Sequence, residues 1–355
     1  MRGHAEKRDR QIMSLRDVVR VCVGDPGAEI AGHHRESLPF AALSTRELLR
    51  FSGVTAGGRP WSVMSKTIES MKHAPLLRQI PVEERERAVA HYPWRADADL
   101  YLDPPPLPPG LRLPEIYLIE DLGDDRLRIW MEDVEQASDG WDLPRYRRAA
   151  RLLAELAALS PAGEADLGMR YYLSGPVENA CLPALRDPGF WRHPLVASAV
   201  DPLLHADLLA LADRIPDLLA LSERLPHFRA HGDACPQNLL VPSDGSAEFV
   251  AIDWSWPYAT VIGFDLGQLL VGQANDGLVD PAELPAIHEA ILDSYSAIFP
   301  DKEVYEGYVA SLVLRSAWMA LPLDRLGEPP TPELHEFFRR RAGLARFIVD
   351  LGRGL

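Results

Sequence analysis

Cysteine is scarce in this chain: Cys22, Cys181 and Cys235 are its three thiols, odd in number and widely spaced. No Cys-x-x-Cys pair is present to grip zinc, and a reducing compartment fits such usage best. Long apolar runs are missing as well. Nothing approaches the roughly 18 apolar residues that a membrane span needs, and the basic, polar stretch Met1–Arg16 has no apolar centre of the kind a signal peptide carries. A cytoplasmic location with no membrane partner is expected. The sequence also lacks Gly-x-Ser-x-Gly and His-Glu-x-x-His, which removes the esterase elbow and the zinc-protease helix.

Positive charge is in deficit, with 37 Lys and Arg against 52 Asp and Glu and a formal net charge of -15. Nucleic acid or an anionic membrane would be repelled over much of such a surface. A cationic substrate would suit it, although acidic surfaces commonly serve solubility alone. The 355 residues, 47% hydrophobic and 25% charged, can bury a sizeable core as two lobes of a globular protein. Nothing in the sequence speaks to oligomeric state.

What is present falls into two textures. Residues 1–43 read as a tail, Met1–Arg10, followed by a helix over Ile12–Val23, where apolar residues recur at helical spacing. Residues 44–133 read as a small sheet. Leu48–Val54 and Trp61–Ile68 form a hairpin about Gly57-Gly58, and Glu115–Asp121 and Arg126–Glu132 form a second about Gly123-Asp124-Asp125. Between the hairpins, helices are expected over Glu83–His91 and Ala96–Leu102. The run from Asp103 to Gly110 holds five prolines and should be an extended connector, because proline lacks the donor that either regular ladder needs. Residues 134–355 read as helical, with helices over Leu143–Leu159, Leu203–Leu225, Leu284–Phe299, Tyr305–Ala320 and Glu333–Leu351. One polar strand-loop-strand unit, Phe228 to Ile252, interrupts them.

That unit carries the chemistry. It reads His231-Gly232-Asp233-Ala234-Cys235-Pro236-Gln237-Asn238-Leu239-Leu240-Val241, followed by Ile252-Asp253-Trp254. Phosphoryl transfer needs a carboxylate to orient the acceptor hydroxyl and oxygen ligands to hold magnesium on the ATP phosphates. A tight loop can present Asp233 at its start and Asn238 at its end, and a second strand can deliver Asp253 beside them. Each residue alone is an ordinary turn former or strand terminator. Their order between flanking apolar strands points to catalysis by Asp233 and metal binding by Asn238 and Asp253. His231 is expected to brace the loop.

These motifs resemble the aminoglycoside phosphotransferase family of kinase-fold enzymes, which also includes choline and homoserine kinases. The resemblance implies an α+β, two-lobed protein-kinase-like fold with a small β-rich N-lobe and a larger helical C-lobe. It also implies ATP and Mg2+ as cofactors and a small-molecule hydroxyl as acceptor. Asp233 would match the catalytic base, Asn238 and Asp253 the magnesium ligands, and Asp265 in Gly263-Phe264-Asp265-Leu266 the anchor of the catalytic loop. An N-cap or first-turn acid is an equally ordinary role for Asp265. Lys66, in Ser62-Val63-Met64-Ser65-Lys66, would hold the phosphates and pair with an acid on the next helix. Asp97, four residues before Tyr101, takes the place where similar sequences have Glu, while Glu86 lies on the more regular helical pattern; Asp97 is favoured. Met131, Glu132, Asp133 and Val134 would form the hinge whose main chain binds adenine.

Other readings are weaker. A protein kinase would carry Arg after the catalytic His, then D-F-G and A-P-E; here Gly232 and Asp253-Trp254-Ser255 stand instead. The alternative in a different class is a catalytically silent nucleotide-binding protein of the same fold.

Overall fold

The computed structural model describes residues 15–40, 42–79, 82–162 and 168–355, so the expected tail Met1–Arg10 and the expected helix start at Ile12 lie outside the described residues. The chain divides into two compact units, residues 1–104 with 113–135, and residues 105–112 with 136–355.

In the first unit, the helix Leu15–Val23 turns Val18, Val19 and Val23 to one side and buries them with Trp61, Val63 and Trp130. The sheet is built from β1 (Ile30–Ser37), β2 (Thr45–Thr55) and β3 (Pro60–Glu69). The chain then passes into the second unit through β4 (Leu111–Arg112) and returns as β5 (Ile116–Asp121) and β6 (Arg126–Glu132). The sheet order is β1-β2-β3-β6-β5, antiparallel throughout. Both hairpins of the sequence reading are present. The β5–β6 turn holds Gly123, Asp124 and Asp125 at positive φ, a conformation that Gly and Asp tolerate best. Strand β1 is an addition. Its residues Ile-Ala-Gly-His-His-Arg-Glu-Ser show no apolar alternation and are exposed after the first, so its ladder with β2 defines it rather than any buried face. The helix Ala96–Leu102 docks through Ala98 into a cluster with Ile68, Ile129 and Met131, and this sets where Asp97 points.

The second unit is mainly helical. Asp142 caps Leu143–Leu159 by accepting from the Arg145 amide at 2.8 Å, which satisfies one of the helix's unpaired donors. The helical stretch expected over Leu203–Leu225 is two helices, Leu204–Asp213 and Ile215–Arg224, with Pro216 in the first turn of the second, where its missing N–H does no harm. The remaining strands are short: β7 (Pro161–Ala162), β8 (His227–Phe228), β9 (Leu239–Leu240), β10 (Phe249–Ala251) and β11 (Thr260–Val261). They form two three-stranded sheets, β4-β10-β9 and β11-β8-β7. The proline connector ends in β4, which runs parallel to β10 with Leu111 opposite Phe249. Phe264–Asn275 and Asp301–Ser316, both largely buried, pack against each other. Among the described residues, no helix is long and apolar enough to cross a membrane.

Candidate active site

Strand β8 delivers the chain to a loop whose every turn is pinned. The buried Asp265 carboxylate, in the first turn of Phe264–Asn275, accepts from the amides of His231 at 3.0 Å and Gly232 at 2.8 Å. Burial pushes the Asp265 carboxyl up, against the pull of those two donors and of the Arg315 charge. His231 is fully buried. Its Nδ1 accepts from the Asp233 amide at 3.2 Å, so its Nε2 carries the proton and donates to the Ile252 carbonyl at 3.0 Å. The Trp254 ring lies over the imidazole with centroids 4.3 Å apart.

Gly232 has φ of 81°. A Cβ there would come within 2.4 Å of the Trp256 Cβ, so both the backbone and the space require glycine. From the other side, Gly272 lets the helix Phe264–Asn275 approach the loop, since a Cβ there would sit 2.6 Å from Pro236 and 2.7 Å from Cys235. The close packing shows in the Cys235 thiol, which burial first and the Asp233 charge second push up to about 12.

Asp233, held at the mouth of this loop, keeps 28% of its side chain exposed. Its Oδ2 accepts from Asn238 Nδ2 at 3.1 Å and its Oδ1 from Arg315 Nη2 at 2.8 Å. Asn238 Nδ2 also donates to the Asp233 carbonyl at 2.9 Å. With the amide nitrogen engaged there, the Asn238 side-chain oxygen is turned away from Asp233 as an acceptor. The Asn238 carbonyl accepts from the Ile252 amide at 3.0 Å, which ties the end of the loop to the residue before Asp253. Asp253 has a φ of 60°, a left-handed backbone that Asp adopts more readily than most non-glycine residues.

No family model and no curated protein matches the sequence. Among solved structures, the chain is similar to an aminoglycoside phosphotransferase from Alicyclobacillus acidocaldarius subsp. acidocaldarius at 16% identity and a TM-score of 0.50, covering 99% of this chain and 98% of that one. It is also similar to a thermostable mutant of the aminoglycoside phosphotransferase APH(4)-Ia, solved as a ternary complex with AMP-PNP and hygromycin B. There the identity is 13%, the TM-score 0.50, and the coverage 97% of this chain and 100% of that one. This chain has the aminoglycoside phosphotransferase fold.

Within that phosphotransferase fold, the first unit holds the other residues anticipated from the sequence. Lys66 stands on β3, and its Nζ lies 2.6 Å from Asp97 Oδ2, both side chains nearly buried. Glu86, the other acid considered, sits on the helix Val82–His91. Met131 is inside the sheet, opposite Met64 and Ile116. Glu132 accepts from the Glu115 amide at 3.0 Å, and Asp133 accepts from Arg50 Nε at 2.9 Å and Ser62 Oγ at 2.5 Å. The Asp133 and Val134 main chain therefore lies past the end of β6.

Arg315 was not anticipated. It sits 82 residues beyond Asp233 in the last turn of Asp301–Ser316, and it also donates to the Gly232 carbonyl. Its guanidinium lies 5.0 Å from the Trp256 ring centroid and 5.3 Å from that of Phe264, close enough for cation–π attraction to both. One trace was visible: Arg315 is the single charge in Ser311-Leu312-Val313-Leu314-Arg315-Ser316-Ala317-Trp318.

Proposed function

We propose that this chain is a phosphotransferase that moves the γ-phosphoryl group of ATP to a hydroxyl of a small molecule. The observation that carries the reading is the carboxylate of Asp233, partly exposed and held on each oxygen by a separate donor. A base so fixed can meet an acceptor hydroxyl in one orientation, which removes much of the entropic cost of bringing the reactants into line.

In the proposed reaction the acceptor O–H donates to Asp233. As the acceptor oxygen bonds to the γ-phosphorus, the bond from that phosphorus to the β,γ-bridging oxygen breaks, and ADP leaves with the electron pair. The acceptor proton passes to Asp233 and then to solvent. Because such transition states are loose, Asp233 acts more by aligning the oxygen than by removing its proton early. Asn238 and Asp253 offer the oxygen donors that Mg2+ prefers; bound there, the ion would neutralise charge on the phosphate oxygens. Lys66, oriented by Asp97, would bind the phosphates, and the main chain of Met131 through Val134 would face the adenine. AMP-PNP and hygromycin B in the APH(4)-Ia complex support a nucleotide and a small molecule as the two ligand classes.

A screen of hydroxylated metabolites and antibiotics for acceptor-stimulated ADP release from Mg-ATP tests this reading. Asp233→Ala is expected to cut turnover by roughly 10²–10⁴-fold while ATP affinity stays near the parent value; full activity in that variant would refute the assignment. Magnesium-dependent ATP binding with no acceptor-stimulated turnover would favour the silent nucleotide-binding protein.

A further inference from the structure

We infer that Arg315 sets the charge of the acceptor, and that the hydroxyl phosphorylated belongs to a neutral or anionic molecule rather than to a polycationic amino sugar. The inference rests on the phosphotransferase reading and names the substrate class of the same site. Asp233 would by itself draw cations to the receiving position. Its Oδ1, however, lies 2.8 Å from Arg315 Nη2. A hydroxyl within about 3 Å of the carboxylate is therefore within a few ångströms of the guanidinium as well. The two charges cancel at that point, and an ammonium group beside the receiving hydroxyl meets a fixed cation.

That cation is built in. The Arg315 side chain is 14% exposed, its Nη1 donates to the Gly232 carbonyl, and its carbonyl accepts from Tyr172 Oη at 2.9 Å. Trp256 and Phe264 flank the guanidinium. Arginine stays charged at any working pH, so the local positive charge is permanent. The chain's net charge of -15 steers at long range and is screened beyond about 10 Å in ordinary salt; at contact the neighbouring guanidinium governs. Trp256 also packs edge-on against Tyr172 and Tyr258, so a cluster of aromatic rings adjoins Arg315.

The test compares acceptor-dependent ADP release by the parent chain, Arg315→Gln and Arg315→Lys. The acceptors are neutral polyols and glycosides, hydroxy acids, and polycationic aminoglycosides. The parent should turn over neutral or anionic acceptors. Arg315→Gln should lose kcat and shift its relative kcat/KM toward cationic acceptors by about tenfold. Arg315→Lys should keep the parent's charge preference at reduced kcat, because lysine retains the charge but not the two-point grip on Asp233 and Gly232. Preference for aminoglycosides in the parent, or an unchanged charge preference in both variants, would overturn the inference alone. If the folded, ATP-binding parent releases no ADP with any acceptor and none to water, the phosphotransferase reading fails and this inference with it.

Discussion

His231 Nε2 donates to the Ile252 carbonyl across 3.0 Å, so one imidazole joins the loop bearing Asp233 to the peptide that leads into Asp253. The ring's other nitrogen accepts from the Asp233 amide. His231→Ala removes both bonds in a fully buried setting, and each unpaired main-chain group left behind costs about 1–3 kcal/mol. The expected outcome is a lower urea midpoint together with loss of turnover. An unaltered midpoint would show that the bridge contributes nothing to the fold.

Gly232 meets Trp256 at a distance no side chain can share. Gly232→Ala should be destabilising by at least about 1–2 kcal/mol from its left-handed backbone alone, with steric displacement of Trp256 added. Trp256 fluorescence should shift with it, and a parent-like spectrum and melting curve would contradict the assignment.

The Lys66–Asp97 pair is nearly closed off from water. Taking the carboxylate away from a nearly buried ammonium removes a charge-assisted hydrogen bond, so Asp97→Ala should lower stability by about 1.5–3 kcal/mol. Chemical denaturation measures this directly. A change below about 0.5 kcal/mol would mean that the pair is solvated in solution.

His288 lies against Tyr308, its Nδ1 3.1 Å from the phenol oxygen. Burial holds its pKa below the usual 6.5, despite the opposing charges of Glu289 and Asp293. The unfolded chain takes up the His288 proton near 6.5 while the folded chain resists it. The resulting stability is present above 6.5 and is lost as the pH falls through the folded value. Urea midpoints should therefore drop between about pH 7.5 and about pH 5.5, and His288→Gln should reduce the drop. Parallel curves for the two proteins would refute the role.

The hairpins and the loop from His231 to Asn238 were legible because their signals are local. Gly57-Gly58 and Gly123-Asp124-Asp125 mark turns by backbone preference, and Asp233, Asn238 and Asp253 stand in an order that a tight loop between apolar strands can present. The α+β layout with a β-rich first part and a helical second part followed from the same local patterns. Strand β1 was not legible, since a polar strand held by main-chain bonds to β2 leaves no apolar period to read. The break between Leu204–Asp213 and Ile215–Arg224 was missed because both halves share one leucine-rich composition, with only Pro216 to separate them. Arg315 escaped for a different reason. Its partner Asp233 is brought to it by helix packing, and a lone arginine in an apolar stretch has many structural uses.

The path of the backbone has a practical outcome for anyone wishing to dissect this molecule. Three covalent joints, after Pro104, Arg112 and Glu135, connect the two units. A fragment beginning at Gln136 would therefore lack Leu111–Arg112, and Phe249–Ala251 would lose a neighbour it is paired with in the intact chain. Expressing the helical portion by simple truncation would open an unprotected edge two residues from Asp253, whereas splicing 105–112 back through a short linker would restore the missing rung.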